Sequence, residues 1–359
     1  MISFLQLTPG EDAHVVREAI DRVVQRGWFV LGPELEAFET EFAEATRASR
    51  AVGVGTGTDA IAIALRALGI GPGDEVITSP LSAAYSALAI MMAGARPVFA
   101  DIDADRLTVA PDAVAAAVTP RTAAILPVHI YGQPADMPAI AAVASRHNLA
   151  IVEDCCQAHL ATCGGQPVGS FGAAAAYSFY PTKNLGALGD GGAITVKDPA
   201  VAERARRLRN GGQTSRYQHD EFGLNSRLDE LQAAILRARL RLLPRWTASR
   251  RSIANAYRAA LVGASGITVP REHDAGHVYH LFPVMSPDRE AVRARLGDAG
   301  IETLVHYPVP IPRQRALTSE APADCPVANR VCDEVFSLPL YPALPPTAVQ
   351  AVAAALRPS

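Results

Sequence analysis

The sequence predicts an α/β fold in which a large domain with a mostly parallel sheet is followed by a smaller α+β domain. Between Asp74 and Leu208, short apolar runs that suit strands alternate with amphipathic stretches that suit helices. Such alternation is typical of a parallel sheet covered by helices on both faces. At 359 residues the chain is also too long for one compact core. Ligands of such sheets bind beyond the carboxyl ends of the strands, so we expect functional residues there.

The first half of the chain supplies most of the predicted sheet. Amphipathic helices are predicted at 11–27 and 35–45, separated by a turn at 31–33. A short strand then runs from Ala51 through several glycines into a helix that ends at Gly69. Further strands are predicted at 75–79, 97–100, 123–128, 149–153, 174–179 and 192–196, and further helices at 82–93, 111–118, 137–147 and 199–209.

The pattern changes in the second half. An irregular loop is predicted at 213–223 and a long helix at 225–241. Beyond residue 244 the segments become shorter and prolines more frequent, which favours a separate domain. We therefore predict a large domain at 1–245 and a small one at 246–359. In the small domain the patterns predict a strand at 278–284, a helix at 288–299 and a turn at 306–310.

The charge balance excludes a general polyanion binder. The formal net charge is −3, and the arginines lie among acidic residues, so no nucleic-acid partner is expected. The N-terminal stretch lacks the basic start and apolar run of a secretory signal, and no run of about 18 apolar residues suits a membrane span. We expect a cytoplasmic protein without a membrane partner.

The five cysteines are odd in number and form no C-x-x-C pattern, so neither a disulfide nor a metal site is expected. We interpret them as small buried apolar residues. Redox sensitivity of Cys155 and Cys156 is the alternative.

The stretch 177–192, which reads YSFYPTKNLGALGDGG, is the strongest candidate for chemistry. It places Lys183 between a predicted strand and a glycine-rich turn that leads into the next strand. A lysine held beside aromatic rings and close backbone loses solvation, which lowers the pKa of its amine and makes it a usable nucleophile. The alternative is an ordinary solvated loop lysine.

Two further groups are expected at the same edge of the sheet. The helix that begins near Thr58, directly after Gly57, offers free N–H groups and a positive dipole end to an anion such as phosphate. Asp154 follows an apolar strand, and Gln157 lies three residues later, so both side chains can point into the crevice beside Lys183. The alternatives are a glycine turn used for packing and an aspartate that caps a helix.

Seven motifs follow one another along the chain: GTGT at 55–58, PVHIYG at 127–132, Asp154 with Gln157, SFYPTKNL at 178–185, GDGG at 189–192, NSRLDE at 225–230 and HYP at 306–308. Taken in order, they resemble the DegT/DnrJ/EryC1/StrS family of nucleotide-sugar aminotransferases, which depend on pyridoxal 5′-phosphate (PLP). The resemblance covers nearly the whole chain and is nearest to enzymes that aminate the 3-keto position of dTDP-linked 6-deoxyhexoses. It implies the aspartate-aminotransferase-like fold called fold type I.

The resemblance implies a catalytic role for two residues. Lys183 would form a Schiff base with the cofactor and then carry the proton during the reaction. Asp154 would pair with the protonated pyridine nitrogen and keep the ring cationic. Gln157 would form a hydrogen bond with the ring oxygen O3′.

The resemblance also implies a phosphate site and a homodimer. Gly57 and Thr58 would offer backbone N–H groups to the phosphate, and Ser178 would add its hydroxyl. Asn225 would reach the phosphate from the neighbouring subunit, which makes a homodimer part of the active site.

One position departs from the family. Members usually place an aromatic residue that stacks on the cofactor ring where this chain has Ala83. We assign this stacking role to Tyr85, although residues two apart do not share a helix face. Packing against a neighbouring helix is the alternative. By family position, Tyr217, His219, His306 and Tyr307 are candidates for substrate binding, with ordinary packing as the alternative for each.

The resulting prediction is a ping-pong aminotransferase. L-glutamate would donate its amino group to the cofactor, and a keto-deoxysugar nucleotide would accept it. A dehydratase of the same family is disfavoured because those enzymes typically replace the lysine with histidine. A 4-keto-sugar aminotransferase and a non-catalytic regulator that binds the cofactor are the remaining alternatives.

Overall fold

The computed structural model describes residues 1–319 and 321–357. Its strands are β1 (Arg50–Val54), β2 (Glu75–Thr78), β3 (Arg96–Phe99), β4 (Thr122–Leu126), β5 (Ala150–Asp154), β6 (Thr162–Cys163), β7 (Gln166–Pro167), β8 (Ala174–Ser178), β9 (Gly192–Val196), β10 (Gln213–Ser215), β11 (Gln218–His219), β12 (Phe282–Met285) and β13 (Val335–Leu338). Across these described residues, every helix lacks the length or the apolar character that a bilayer-spanning segment needs.

The helices surround a central sheet and continue into the C-terminal part of the chain. They are α1 (Ala13–Arg26), α2 (Pro33–Thr46), α3 (Gly57–Ala67), α4 (Tyr85–Met92), α5 (Pro111–Ala116), α6 (Met137–His147), α7 (Pro199–Arg209), α8 (Glu230–Leu240), α9 (Leu243–Ala260), α10 (Arg289–Asp298), α11 (Pro326–Glu334) and α12 (Pro346–Leu356).

The central sheet has seven strands in the order β1-β9-β8-β5-β4-β2-β3. All neighbouring pairs are parallel except those of β9, which is antiparallel to both β1 and β8. The predicted α/β class with a mostly parallel sheet is therefore confirmed. The helices predicted at 137–147 and 199–209 and the strand at 192–196 have the predicted bounds.

Both faces of the sheet are covered by apolar side chains because consecutive strand residues point to opposite sides. In β5, Ile151 belongs to an apolar cluster that also contains Phe38 of α2 and Leu236 of α8. Its neighbour Val152 belongs to a second cluster, which contains Ile61 of α3. This two-sided burial explains why the strands are apolar without alternation. It leaves the ends of the strands as the place where polar groups can collect.

The helix predicted at 225–241 begins five residues later than predicted. Asn225 instead forms an isolated bridge with Asn210, and the Ser226 N–H donates to the Arg209 carbonyl over 2.9 Å. Asp229 is the N-cap, and its carboxylate accepts a hydrogen bond from the Gln232 N–H over 2.8 Å. Pairing with a distant segment therefore replaces the first predicted turn.

The strand predicted at 278–284 is largely wrong, since β12 covers only Phe282–Met285. The N–H of Val278 donates to the carbonyl of Gly132 over 3.1 Å, and Tyr279 has a positive φ of 46°. Residues 278–281 therefore pack against the segment after β4 instead of extending the strand. The helix predicted at 288–299 is confirmed as α10.

The C-terminal part contains an antiparallel pair, β12 and β13, whose apolar side chains pack with those of α9, α10 and α12. Examples are Phe336 of β13, Tyr257 of α9 and Val352 of α12. The predicted domain boundary at 245 falls inside α9, which begins at Leu243. The division into two domains stays a prediction.

Glu230, the first residue of α8, joins that helix to the start of α2. Its carboxylate is fully buried and accepts hydrogen bonds from the N–H groups of Gly32, Glu34 and Leu35 over 2.8 to 3.0 Å. These groups belong to the first turn of α2, where backbone donors have no partner inside the helix. A negative charge at this end also suits the helix dipole.

We predict that Glu230→Ala destabilises the protein by about 3 kcal/mol or more, because it leaves three buried N–H groups without an acceptor. Chemical denaturation followed by circular dichroism would measure the loss. Glu203→Ala, which removes an exposed carboxylate paired with Arg206, is the matched control and should cost less than about 1 kcal/mol. Equal losses in the two variants would contradict this role of Glu230.

Candidate active site

The site lies at the carboxyl edge of the central sheet. Asp154 is the last residue of β5, Ser178 is the last residue of β8, and Gly57 begins the helix after β1. Because β1, β5 and β8 point in the same direction, these residues meet at one edge. The sheet therefore brings together three segments that are far apart in the sequence.

Asp154 is buried, with 5% of its surface exposed. Its Oδ2 accepts a hydrogen bond from the Ser86 hydroxyl over 2.9 Å, and its Oδ1 accepts one from the Cys156 N–H over 3.1 Å. The Ser82 hydroxyl, from the segment before α4, lies 3.1 Å from that of Ser86. Among the described residues no cation forms a salt bridge with Asp154. The carboxylate is thus held in place and remains able to pair with a cationic ligand group.

Lys183 is half-buried on the loop after β8. Burial lowers the pKa of its amine, while the neighbouring Cys156 and Asp154 act in the opposite direction. The lowered pKa predicted from the sequence is therefore confirmed. A larger share of the amine is uncharged at neutral pH than in a solvated lysine, which suits a nucleophile.

The start of α3 forms a close-packed anion cradle. Thr56 caps the helix by accepting a hydrogen bond from the Asp59 N–H over 3.0 Å, which leaves Gly57 and Thr58 as the first helical residues. A Cβ at Gly57 would come within 2.6 Å of Ser178 Cβ and 2.9 Å of Cys156 Sγ. Only glycine, which has no Cβ, allows this close approach. The close approach places Ser178 beside the N-terminus of α3.

Gln157 links the sheet edge to the C-terminal part of the chain. Its Oε1 accepts a hydrogen bond from the Tyr131 N–H over 2.7 Å, and its Nε2 donates to the Tyr307 hydroxyl over 3.2 Å. The Tyr131 hydroxyl donates to the His306 carbonyl over 2.5 Å. The second N–H of the Gln157 amide is available for a ligand acceptor. The structure therefore brings His306 and Tyr307 to the site.

His306 and Tyr307 are both uncharged at neutral pH. Burial, assisted by the charge of Lys183, lowers the pKa of His306 to about 4. Burial also raises the pKa of Tyr307 to about 12. The tyrosine hydroxyl thus keeps a proton that it can donate to a ligand.

Four other predicted residues lie on the surface. Tyr85 is 63% exposed at the start of α4, while the next residue, Ser86, contacts Asp154. The assignment of ring stacking to Tyr85 stays a prediction. Tyr217 is 79% exposed on the β10–β11 hairpin, and His219 and Asn225 are also exposed. Within the described residues no hydrogen bond joins these four side chains to Lys183, Asp154 or Gln157.

The sequence reasoning missed several residues of the site. The spacing of Ser82 and Ser86 in a predicted helix was a usable signal, because residues four apart share a face. Cys156 was interpreted as a small buried apolar residue, with redox sensitivity as the alternative, yet its thiol contacts the cradle at Gly57. His280 gave no signal. It lies 3.2 Å from the Asn184 amide oxygen, although 96 residues separate the two in sequence.

One buried group of metal-ligand type, His129, Glu153 and Cys155, lies behind the site. The atoms of His129 and Glu153 that could bind a metal already form hydrogen bonds with other protein groups. The His129 Nδ1 accepts a hydrogen bond from the Ala135 N–H over 3.0 Å, so its Nε2 carries the proton that faces Glu153 at 3.2 Å. Glu153 also accepts from three N–H groups of the loop at 169–172. We assign this group a structural role.

The site offers each kind of partner that PLP requires: an amine, a carboxylate, an amide donor and an anion cradle. The fold and this set of groups define a PLP-dependent aminotransferase of fold type I. The chain belongs to the DegT/DnrJ/EryC1/StrS aminotransferase family, whose model matches residues 11–357. The predicted family, fold and cofactor are therefore confirmed.

Individual relatives support the same assignment. The dTDP-3-amino-3,4,6-trideoxy-alpha-D-glucose transaminase of Streptomyces venezuelae is 48% identical, with 91% of this chain and 87% of the relative covered. The erythromycin biosynthesis sensory transduction protein EryC1 of Saccharopolyspora erythraea is 47% identical, with 95% and 94% covered. The crystal structure of S. venezuelae DesV in complex with a ketimine intermediate superposes with a TM-score of 0.97 at 46% identity, covering 99% of this chain and 97% of DesV.

We predict that Ser86→Ala weakens PLP binding by about tenfold, because Asp154 loses a hydrogen bond from a neutral donor that fixes its orientation. Titration of the apoprotein with PLP, followed by visible absorption, would give the dissociation constant. Ser145→Ala, on the exposed face of α6, is the control and should leave the constant unchanged. Equal PLP affinity in the Ser86 variant and the wild type would contradict the positioning role.

Proposed function

We propose that this protein transfers an amino group from L-glutamate to the 3-keto group of a dTDP-linked deoxyhexose. The observation that carries the proposal is the pair of Lys183 and Asp154 at one sheet edge beside the cradle at Gly57. The similarity to the S. venezuelae transaminase, which is named for a dTDP-3-amino sugar, supports the sugar and the position of the amino group. The intact lysine disfavours the dehydratase alternative.

Lys183 is proposed to hold the cofactor and to move the proton. When bound, PLP supplies an electron sink for the carbon that loses its proton. The amine of Lys183 has a lowered pKa because it is buried, so it can accept that proton at neutral pH and return it to the adjoining position.

Asp154 is proposed to face the cationic ring nitrogen. Its two hydrogen bonds, from Ser86 and from the Cys156 N–H, fix the carboxylate before any ligand arrives. Such preorganisation avoids a reorganisation cost during the reaction. Gln157, held by Tyr131 and Tyr307, is proposed to donate its free amide N–H to the ring oxygen.

The phosphate is proposed to lie against the N–H groups of Gly57 and Thr58 and the Ser178 hydroxyl. Asn225 is proposed to reach this phosphate from a second subunit. Its side chain is exposed, and the adjacent Ser226 hydroxyl accepts a hydrogen bond from Gly55 over 2.8 Å. Exposure of residue 225 leaves its side chain accessible to a second subunit.

An exposed apolar surface also supports a homodimer. Exposed large apolar side chains are common on association surfaces and costly in water. Examples among the exposed apolar side chains of this chain are Trp28, Phe29, Tyr85, Met92, Tyr180, Tyr217 and Phe222. In such a dimer, Tyr217 and His219 of one subunit would contact the sugar nucleotide bound at the other subunit. His306 and Tyr307 would contact the sugar nucleotide bound in their own subunit.

We predict that L-glutamate bleaches the visible cofactor band of the purified holoenzyme and that Lys183→Ala abolishes turnover while the fold remains intact. Absorption spectra before and after addition of L-glutamate, together with circular dichroism of the variant, would test both statements. Wild-type turnover in the variant would contradict the assignment of the proton carrier. A stable band that glutamate does not change would favour another donor or a non-catalytic regulator.

We predict that mixed dimers of Lys183→Ala and Asn225→Ala subunits regain activity. If Asn225 acts across the interface, each mixed dimer contains one site with both native residues. The two variants would be unfolded, mixed and refolded with PLP, and turnover would be compared with each variant treated alone. Activity no greater than the sum of the parents would show that Asn225 acts within its own subunit or not at all.

A further inference from the structure

A cavity of about 370 Å³ adjoins the Lys183 loop. It lies between that loop, the N-terminal segment at 5–12 and the first turns of α9. The cationic side chains that line it are Lys183, Arg239, Arg245 and Arg250, and the acidic ones are Glu11 and Asp12. The balance of these charges decides which ligand the cavity can accept.

Two of the three arginines are neutralised by carboxylates. The Arg239 Nε lies 2.8 Å from Asp12 Oδ2, and an Arg245 Nη atom lies 2.5 Å from Glu11 Oε2. Both acidic residues of the cavity are thus already paired. In the proposed function, Lys183 is engaged with the cofactor. Among the described residues that line the cavity, Arg250 is then the cation that has no acidic partner.

Arg250 is a buried cation without a carboxylate partner in the described residues. Its Nη1 donates to the carbonyls of Tyr279, His280 and Leu340 over 3.0 to 3.3 Å, while its Nε has no hydrogen-bond partner there. Burial lowers its pKa to about 10, so the guanidinium remains charged at neutral pH. A buried charge that only neutral carbonyls contact is costly unless an anion completes it.

Arg250 is connected to the Lys183 loop through two residues, His280 and Asn184. The His280 carbonyl accepts from Arg250 over 3.3 Å, and the His280 ring lies 3.2 Å from Asn184, which directly follows Lys183. Burial, with the charges of Lys183 and Arg250, keeps the pKa of His280 well below its usual range. The imidazole is therefore neutral, and no second charge competes with Arg250 for an anion.

We propose that Arg250 binds a carboxylate of the amino donor. The inference rests on the proposed function, since the donor must bring its amine to the cofactor held by Lys183. In an amino acid the α-carboxylate is attached to the carbon that carries this amine, so its counter-cation must lie close to Lys183. The diphosphate of a nucleotide sugar is separated from the reacting C3 by part of the sugar ring. A single guanidinium fork also matches a carboxylate geometrically.

The test uses the PLP-loaded variants Arg250→Gln and Arg250→Lys. Each would be titrated with L-glutamate, following the cofactor band, and with glutarate as a dicarboxylate probe that has no amine. We expect Arg250→Gln to raise the half-saturating concentration of both probes by about 10- to 100-fold. Arg250→Lys keeps the charge but loses the planar fork, so we expect a smaller rise of about fivefold.

Two controls separate ligand binding from structural damage. Arg245→Gln removes an exposed, paired arginine of the same cavity and should change glutamate binding less than about twofold. The dissociation constant of dTDP should remain unchanged in the Arg250 variants. Thermal unfolding and the cofactor band would show whether each variant is folded, and Arg250→Lys alone decides the question if Arg250→Gln does not fold.

Unchanged glutamate and glutarate binding in a folded Arg250 variant would overturn the inference. A loss of dTDP binding equal to or greater than that of glutamate would also overturn it and assign the cation to the diphosphate. If the wild type itself shows no response to L-glutamate, the proposed donor fails, which is a separate result from failure at Arg250.

Discussion

The rest of the site depends on the burial of the Asp154 carboxylate at the end of β5. A carboxylate removed from water needs hydrogen bonds or a cation, and the chain supplies two hydrogen bonds but no cation in the described residues. The Ser86 hydroxyl comes from α4, and the Cys156 N–H comes from the turn after β5. That helix and that turn therefore each supply one hydrogen bond to the buried carboxylate.

Three histidines near Lys183 have neutral side chains: His159, His280 and His306. Burial lowers the pKa of His159 to about 3 and that of His306 to about 4, and in both cases the charge of Lys183 adds to the effect. Burial and the charge of Lys183 also lower the pKa of His280. A second cation here would repel the protonated amine and the cationic ring. Neutral imidazoles avoid this repulsion, and they still offer ring nitrogens for hydrogen bonds.

Side chains that bridge distant segments keep the site together. Glu230 caps α2 from the start of α8, Tyr131 bonds the His306 carbonyl, and Arg250 ties α9 to the segment before β12 and the segment after β13. Each bridge uses a buried polar group whose partner lies far along the chain. Such bridges are sensitive to substitution, because losing one partner leaves the other buried and unsatisfied.

The sequence by itself determined the alternation of strands and helices, and with it the α/β class and the mostly parallel sheet. It also located Lys183, Asp154, Gln157 and Gly57, because each lies in a local motif beside a strand end. Only the tertiary structure decided the partners of these groups. Ser86, His280 and Arg250 act through contacts with segments far away in the chain, and no local pattern records such distances. The helix predicted from 225 begins at 230, because pairing of residues 225 and 226 with the segment at 209–210 outweighs local propensity.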